Sequence, residues 1–138
     1  MSEDTTSGGA LRDAAFAAME NAYAPYSRFR VGAAVRASSG EIVSGCNVEN
    51  AAYGEALCAE RVAIAAAVAR GLKTFEEIAI ASESDEPAPP CGSCRQTMSE
   101  FAPDLMVTSY ARNGKQAVWR LSELLPEAFA LNHLRGRP

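Results

Sequence analysis

Apolar residues first fall into register at Leu11, Ala14, Ala15, Ala18, Met19 and Ala22, the i, i+3, i+4 spacing of one helix face. The spacing predicts a helix over residues 11–23, stopped by Pro25, because a residue before proline is pushed out of the helical region. The pattern then changes. Residues 31–37 and 42–47 are short strand-like runs joined by Ser38-Ser39-Gly40-Glu41, a link that predicts a β-hairpin. Residues 50–54 form a loop, and residues 55–70 read as an Ala-rich helix with Gly71 as its stop. A third strand is expected over 75–81, followed by an acidic, Pro-rich surface loop over 82–90. A short helix over 92–101 is closed by Pro103. Two more strands, 105–110 and 117–121, flank the hairpin signal Asn113-Gly114. Residues 122–129 read as a last helix with Ser122 as its N-cap and Pro126 inside it. The order α-β-β-α-β-α-β-β implies an α/β fold, a mixed five-stranded sheet covered by helices.

Length and charge narrow the class. The 138 residues suit one domain, expected over residues 11–138, with residues 1–10 as a polar, Gly/Ser-rich mobile tail. A chain of this size buries roughly two-thirds of its unfolded surface, so it builds a core without disulfides. A formal net charge of −4 argues against a nucleic-acid partner, which calls for a basic stripe. The longest apolar run, residues 62–69, is far too short to span a membrane. With no secretory pattern at its start, the chain is expected in the cytoplasm, its four cysteines available as thiolates.

Three of those cysteines carry the chemistry. Cys91 and Cys94 form a C-x-x-C pair within P-P-C-G-S-C-R, and Cys58 lies 33 residues before Cys91 within C-A-E-R. Three thiolates leave the fourth tetrahedral position of a Zn²⁺ open, the mark of a catalytic site, and one zinc per chain is expected. Glu60, two residues after Cys58, is the available proton carrier; C-x-E with P-C-x-x-C is the pattern of zinc-dependent deaminases. On a regular helix Cys58 and Glu60 would point about 200° apart. They converge only on a metal beyond the helix N-terminus, where the helix dipole favours thiolate over thiol. Three thiolates around Zn²⁺ sum to a negative site and make a bound water less acidic. Arg61, next to Glu60, is the first candidate to offset that charge by donating to sulfur, and Arg95 is the second. Cys46 has no partner at ligand spacing and reads as buried and inert, and His133 as a bystander in the C-terminal tail.

Taken together, R-F-R-V-G-A-A-V (28–35), G-C-N-V-E-N (45–50), A-A-Y-G (51–54), C-A-E-R (58–61), P-C-G-S-C-R-Q (90–96) and L-L-P-E-A-F (124–129) resemble the cytidine deaminases, specifically the small homotetrameric three-cysteine kind. The resemblance spans nearly the whole chain in order and implies a three-layer α/β/α sandwich. It implies zinc on Cys58, Cys91 and Cys94, with Glu60 shuttling protons. It further implies Asn47 and Glu49, with Val48 between them, at the ribose, Phe29 against the pyrimidine, and the Ala59 backbone at the base. Tyr53 and Phe129 would reach sites across subunit interfaces. The reaction implied is hydrolytic deamination of cytidine and deoxycytidine to uridine and deoxyuridine, with ammonia released, a step of pyrimidine salvage. The chain departs from the family at Glu55-Ala56-Leu57, where members more often carry uncharged residues, and this bears on substrate breadth.

Three other readings compete. A relative acting on another aminopyrimidine nucleoside, such as blasticidin S, is opposed by N-V-E-N, which suits a plain ribose. A polynucleotide-editing deaminase needs a basic groove. A zinc-stapled interaction module would present a fourth Cys or His at usable spacing, and Cys46 is the sole nearby candidate.

Overall fold

The computed structural model describes residues 7–131. Its elements, in chain order, are α1 (Ser7–Met19), β1 (Val31–Ala37), β2 (Ile42–Cys46), α2 (Ala59–Ala69), β3 (Phe75–Ser82), α3 (Gly92–Phe101), β4 (Met106–Tyr110), β5 (Gln116–Arg120) and α4 (Leu121–Leu124), with a 3-10 turn at Tyr53–Glu55 before α2. The strands form one mixed five-stranded sheet in the order β2-β1-β3-β4-β5. Of the strand pairs among the described residues, β3–β4 is parallel, as a connection through α3 requires; the hairpins β1–β2 and β4–β5 and the β1–β3 pair are antiparallel.

Alternation along the central strands sorts the core into two faces. Ala33, Val35, Ile78, Ile80 and Val107 pack with Ala63, Ile64, Ala67, Met98 and Leu121 under α2, α3 and α4. On the other face Ala34, Ala79 and Ala81 pack with Leu11, Ala15 and Met19 of α1. The second face is lined by small side chains, so α1 lies close to the sheet. A Cβ on Gly32 of β1 would fall 2.0 Å from the Ala15 carbonyl oxygen. Gly45 of β2 does the same for α2, where a Cβ would meet the Ala63 nitrogen at 2.5 Å. These two glycines set how near each helix layer approaches.

Several boundaries differ from the sequence expectation. α1 already includes Ser7 to Ala10, expected in the tail, and Gly9 is buried. It stops at Met19 because the Tyr23 backbone is taken by the extension of β2: Tyr23 N–H donates to Asn47 O (3.0 Å) and Glu49 N–H donates to Tyr23 O (2.9 Å). α2 starts at Ala59, not at residue 55, since Leu57 exchanges two backbone hydrogen bonds with Val48 (2.8 and 3.0 Å) and is extended. The last helix is a single turn, Leu121–Leu124, capped at Arg120 rather than Ser122. The Glu123 carboxylate accepts from the Arg120 N–H at 2.8 Å, and Leu125 leaves helical geometry ahead of Pro126. Residues 1–6 and His133 lie outside the described residues. Among the described residues no helix is long and apolar enough to cross a membrane.

Candidate active site

Two helix N-termini meet at the three cysteines. Cys58 is the N-cap of α2 and Cys91 the N-cap of α3, both with extended backbone, and Cys94 lies in the first turn of α3, fully buried. The Cys58 and Cys91 sulfurs are 3.8 Å apart, Cys91 and Cys94 3.4 Å, and all three Sγ atoms lie within 4.8 Å of one another. Tetrahedral thiolates about 2.3 Å from a zinc ion stand about 3.8 Å apart, so the triad fits the metal with little rearrangement. The donor set fits as well: three sulfurs, two helix dipoles directed at them, and no fourth Cys, His or carboxylate in the cluster among the described residues. Cys46 sits partly buried at the end of β2 and outside this cluster.

The thiols already behave as a set. Cys58 is drawn down to about 5, first by the hydrogen bond from the Cys94 thiol and then, against the opposing effect of burial, by Arg61. Cys94 is pushed up correspondingly, as the donor to Cys58 and by burial and the nearby Glu60 carboxylate. Glu60, in the first turn of α2, is 6% exposed, and burial raises its carboxyl above the usual range, with the Cys58 thiolate adding to the effect. A carboxyl whose proton affinity is raised in this way is better suited to carry protons than an exposed one.

The arginines that follow the ligands separate. Arg61 donates from its NH2 to Ala56 O at 3.3 Å, and its buried Nε has no hydrogen-bond partner among the described residues. The Cys58 sulfur is what most holds its guanidinium charged. Arg95, expected as a second donor to sulfur, instead donates from Nε to Pro90 O (2.8 Å) and from NH1 to Leu124 O (2.9 Å). It fastens the ligand loop to the C-terminal segment. Gln96 adds a bond from its side-chain amide to Phe129 O (2.9 Å).

Above the sulfurs opens a cleft of about 290 Å³, lined by Cys58, Ala59, Glu60 and Cys91 at its floor and by Phe29, Val31, Asn47, Glu49, Ala88 and Pro89 among its walls. Of the residues predicted from sequence, Phe29, Asn47, Glu49 and Ala59 therefore join Glu60 and two of the three cysteines in one space. Val48 instead contributes the backbone bridge to Leu57 and is exposed. Tyr53, 81% exposed, lines an adjoining hollow with Tyr26, Ser27, Glu49 and Asn50. Phe129 is 60% exposed and outside the cleft of its own chain. Glu55 is exposed and does not line the cleft.

Sequence reasoning missed two groups of residues. The acidic loop after β3 is not a free surface loop, since its end forms a cleft wall. Ser109 donates to Ala88 O (2.7 Å), Arg112 N–H to Ser84 O (3.0 Å) and the Arg112 Nε to Asp85 (2.8 Å), while Lys115 pairs with Glu86 (3.0 Å). The opposite charges on the β4–β5 turn were the available signal. The second missed residue is Ser27, whose hydroxyl donates to Glu49 and accepts from the Phe29 N–H (3.0 Å). A serine two residues before a pocket aromatic is a local hydrogen-bonding pattern that sequence offers only weakly.

Comparison with known proteins agrees with this geometry. Residues 8–110 match the family model described as the cytidine and deoxycytidylate deaminase zinc-binding region. A cytidine deaminase of Halalkalibacterium halodurans is 45% identical over 116 residues, 83% of this chain and 88% of that protein. At lower identity, 36% over 113 residues, the chain is also similar to a blasticidin-S deaminase of Bacillus cereus, covering 76% of this chain and 80% of that one. A crystal structure of cytidine deaminase from Burkholderia pseudomallei superimposes with a TM-score of 0.85 at 48% identity, over 88% of this chain and 98% of that one. Cys58, Cys91 and Cys94 are the zinc ligands. By sequence and by fold, over most of both chains, this protein belongs to the cytidine deaminase family, in its three-cysteine zinc form.

Proposed function

We propose that this chain removes the 4-amino group of cytidine and deoxycytidine by hydrolysis, giving uridine or deoxyuridine and ammonia. The observation that carries the reading is the buried Glu60 carboxyl beside the three sulfurs, at the floor of a cleft whose wall holds Asn47 and Glu49. Bound zinc supplies Lewis acidity that makes water nucleophilic at neutral pH. Glu60 takes a proton from the attacking water and delivers it to N3 of the pyrimidine. It then carries the second proton to the 4-amino group, which leaves as ammonia while C4 keeps the oxygen. Burial supports this double role, because it brings the carboxyl's affinity for a proton nearer to that of the groups it serves.

Phe29 covers the pyrimidine, and the Ala59 backbone, in the first turn of α2, meets its polar edge. Asn47 and Glu49 read the sugar, with the Val48 backbone holding the two apart on the extended segment. Arg61 tempers the negative charge of the three thiolates, the task suggested by its orphaned Nε. N-V-E-N, which brings Asn47 and Glu49 to the lining of the cleft, favours a plain nucleoside over an antibiotic nucleoside. Reduced thiolates are stable ligands in the cytoplasm, the compartment we assign.

The working form is a homotetramer. Support comes from the outer side of α2, where Leu57, Val62, Ala65, Ala69 and Phe101 line an apolar groove of about 810 Å³, a surface that calls for a partner. Tyr53 and Phe129, exposed on the single chain, then reach sites of neighbouring subunits.

Ammonia release tests the reading. Cytidine and deoxycytidine are expected to be turned over, with free cytosine poorer by a factor of about 10⁴, because Asn47 and Glu49 would be left without their hydroxyl partners. Comparable kcat/KM for cytosine and cytidine would overturn the sugar assignment, and no ammonia from either nucleoside would overturn the function.

A further inference from the structure

Glu49 is not a free carboxylate. Its Oε1 accepts from the N–H groups of Tyr26 (3.0 Å) and Ser27 (3.1 Å), and its Oε2 accepts from the Ser27 hydroxyl. A carboxylate offers about four lone-pair positions, so one acceptor position remains, on Oε2. The Ser27 hydroxyl has a single proton, and it is given to Glu49. Its oxygen is thereby left to receive the Phe29 N–H at 3.0 Å, and a directed chain runs from Phe29 through Ser27 to Glu49. Asn47 completes the arrangement from the other side: its Nδ2 donates to Phe29 O (2.9 Å) and its Oδ1 accepts from Val31 N–H (2.9 Å). The Phe29 backbone is thus held at its N–H by Ser27 and at its C=O by Asn47. Arg28 enters this arrangement in the left-handed region, φ 61°, with its N–H on Ala24 O, turning the chain just ahead of Phe29.

We infer that Ser27 is a positioning residue for sugar selection: it aims the last free acceptor position of Glu49 at a sugar hydroxyl and ties that aim to the seat of Phe29 against the base. The inference rests on the assignment of Glu49 to the sugar. Without the hydroxyl, the Glu49 carboxylate keeps its two backbone donors on Oε1, but Oε2 loses the bond that fixes its rotation. Phe29 loses one of two anchors and keeps the other through Asn47. The first loss matters only for a substrate that has a hydroxyl to offer; the second is common to all substrates and smaller.

The test compares wild type, Ser27→Ala, Ser27→Thr, Glu49→Gln and the Ser27→Ala/Glu49→Gln double variant, each with cytidine and with 2′,3′-dideoxycytidine, which lacks both ring hydroxyls. Ser27→Ala is expected to lower kcat/KM for cytidine by roughly 10- to 100-fold, mainly through KM, the range for losing one hydrogen bond to a charged group. For dideoxycytidine the loss should stay within about threefold, so the preference for the hydroxylated sugar collapses. Ser27→Thr keeps the hydroxyl and should restore most of the preference, and the double variant should be little worse than Glu49→Gln alone. Equal losses on both substrates, or additive effects of the two substitutions, would overturn the inference and leave Ser27 as a loop-building residue. If Glu49→Gln itself leaves the preference for cytidine intact, Glu49 is not the sugar acceptor, and the inference falls with that assignment. If Glu49→Gln abolishes the preference while Ser27→Ala preserves it, the sugar assignment stands and only the role of Ser27 is lost.

Discussion

Arg61 and Arg95 each follow a residue of the metal motif and are interchangeable on paper, yet the fold gives them different work. Arg95 spends its Nε and NH1 on the carbonyls of Pro90 and Leu124, which leaves Arg61, beside the Cys58 sulfur and with an Nε that has no partner among the described residues, as the proposed offset to the thiolate charge. Arg61→Ala is therefore expected to lower kcat at least about tenfold with a smaller change in KM, since the charge it offsets acts on the chemistry more than on substrate binding. Steady-state kinetics showing a pure KM effect would contradict this. At this scale the sequence was most legible where chemistry restricts residue type and spacing. Cys58, Cys91, Cys94 and Glu60 could be picked out because few other arrangements use three thiolates and one carboxylate in C-x-E and P-C-x-x-C order. The destination of Arg95 could not, because it depends on where the C-terminal segment returns, a long-range fact with no local signature.

Elements were legible by period and illegible at their ends. The short apolar runs announced β1 and β3, which the fold then buries along most of their length, and Asn113-Gly114 announced the β4–β5 turn. Ala-rich composition extended α2 backward through residues 55–57, but tertiary pairing won there: the Leu57–Val48 bridge keeps the segment extended and allows Cys58 to serve as N-cap, sulfur turned to the metal. That is also why Cys58 and Glu60, incompatible on one helix face, reach the same cleft. The separation of the helix layers is an element-scale property, set by Gly32 and Gly45. Gly32→Ala would put a Cβ 2.0 Å from a backbone oxygen of α1, where no flexible side chain can yield. We expect it to destabilise the fold by about 1–3 kcal/mol, read by chemical denaturation, with the zinc site itself intact in the protein that folds. An unchanged midpoint would mean that α1 is not packed as closely as described.

At the scale of the molecule, one metal connects parts of the chain that the sheet alone leaves loosely coupled. α2 and α3 lie under the same face, and the zinc ligands join their N-termini. Structural zinc binding is worth on the order of 10 kcal/mol, so strong chelation should lower Tm by at least about 10 °C as well as abolish turnover. On the proposed homotetramer, sedimentation of the zinc-loaded, active protein should show a four-chain species that buries the apolar groove beside α2. A fully active monomer, or an unchanged Tm, would contradict that account. Proton transfer by Glu60 on a zinc-loaded enzyme is tested most directly by a parallel assay of wild type and Glu60→Gln, with zinc content and ammonia release from cytidine determined on the same preparations. Both proteins should hold one zinc per chain, and the variant should lose at least about 10²- to 10⁴-fold in kcat, since an amide can neither take nor return the proton. A zinc-loaded Glu60→Gln retaining more than about a tenth of wild-type turnover would show that another group moves the proton.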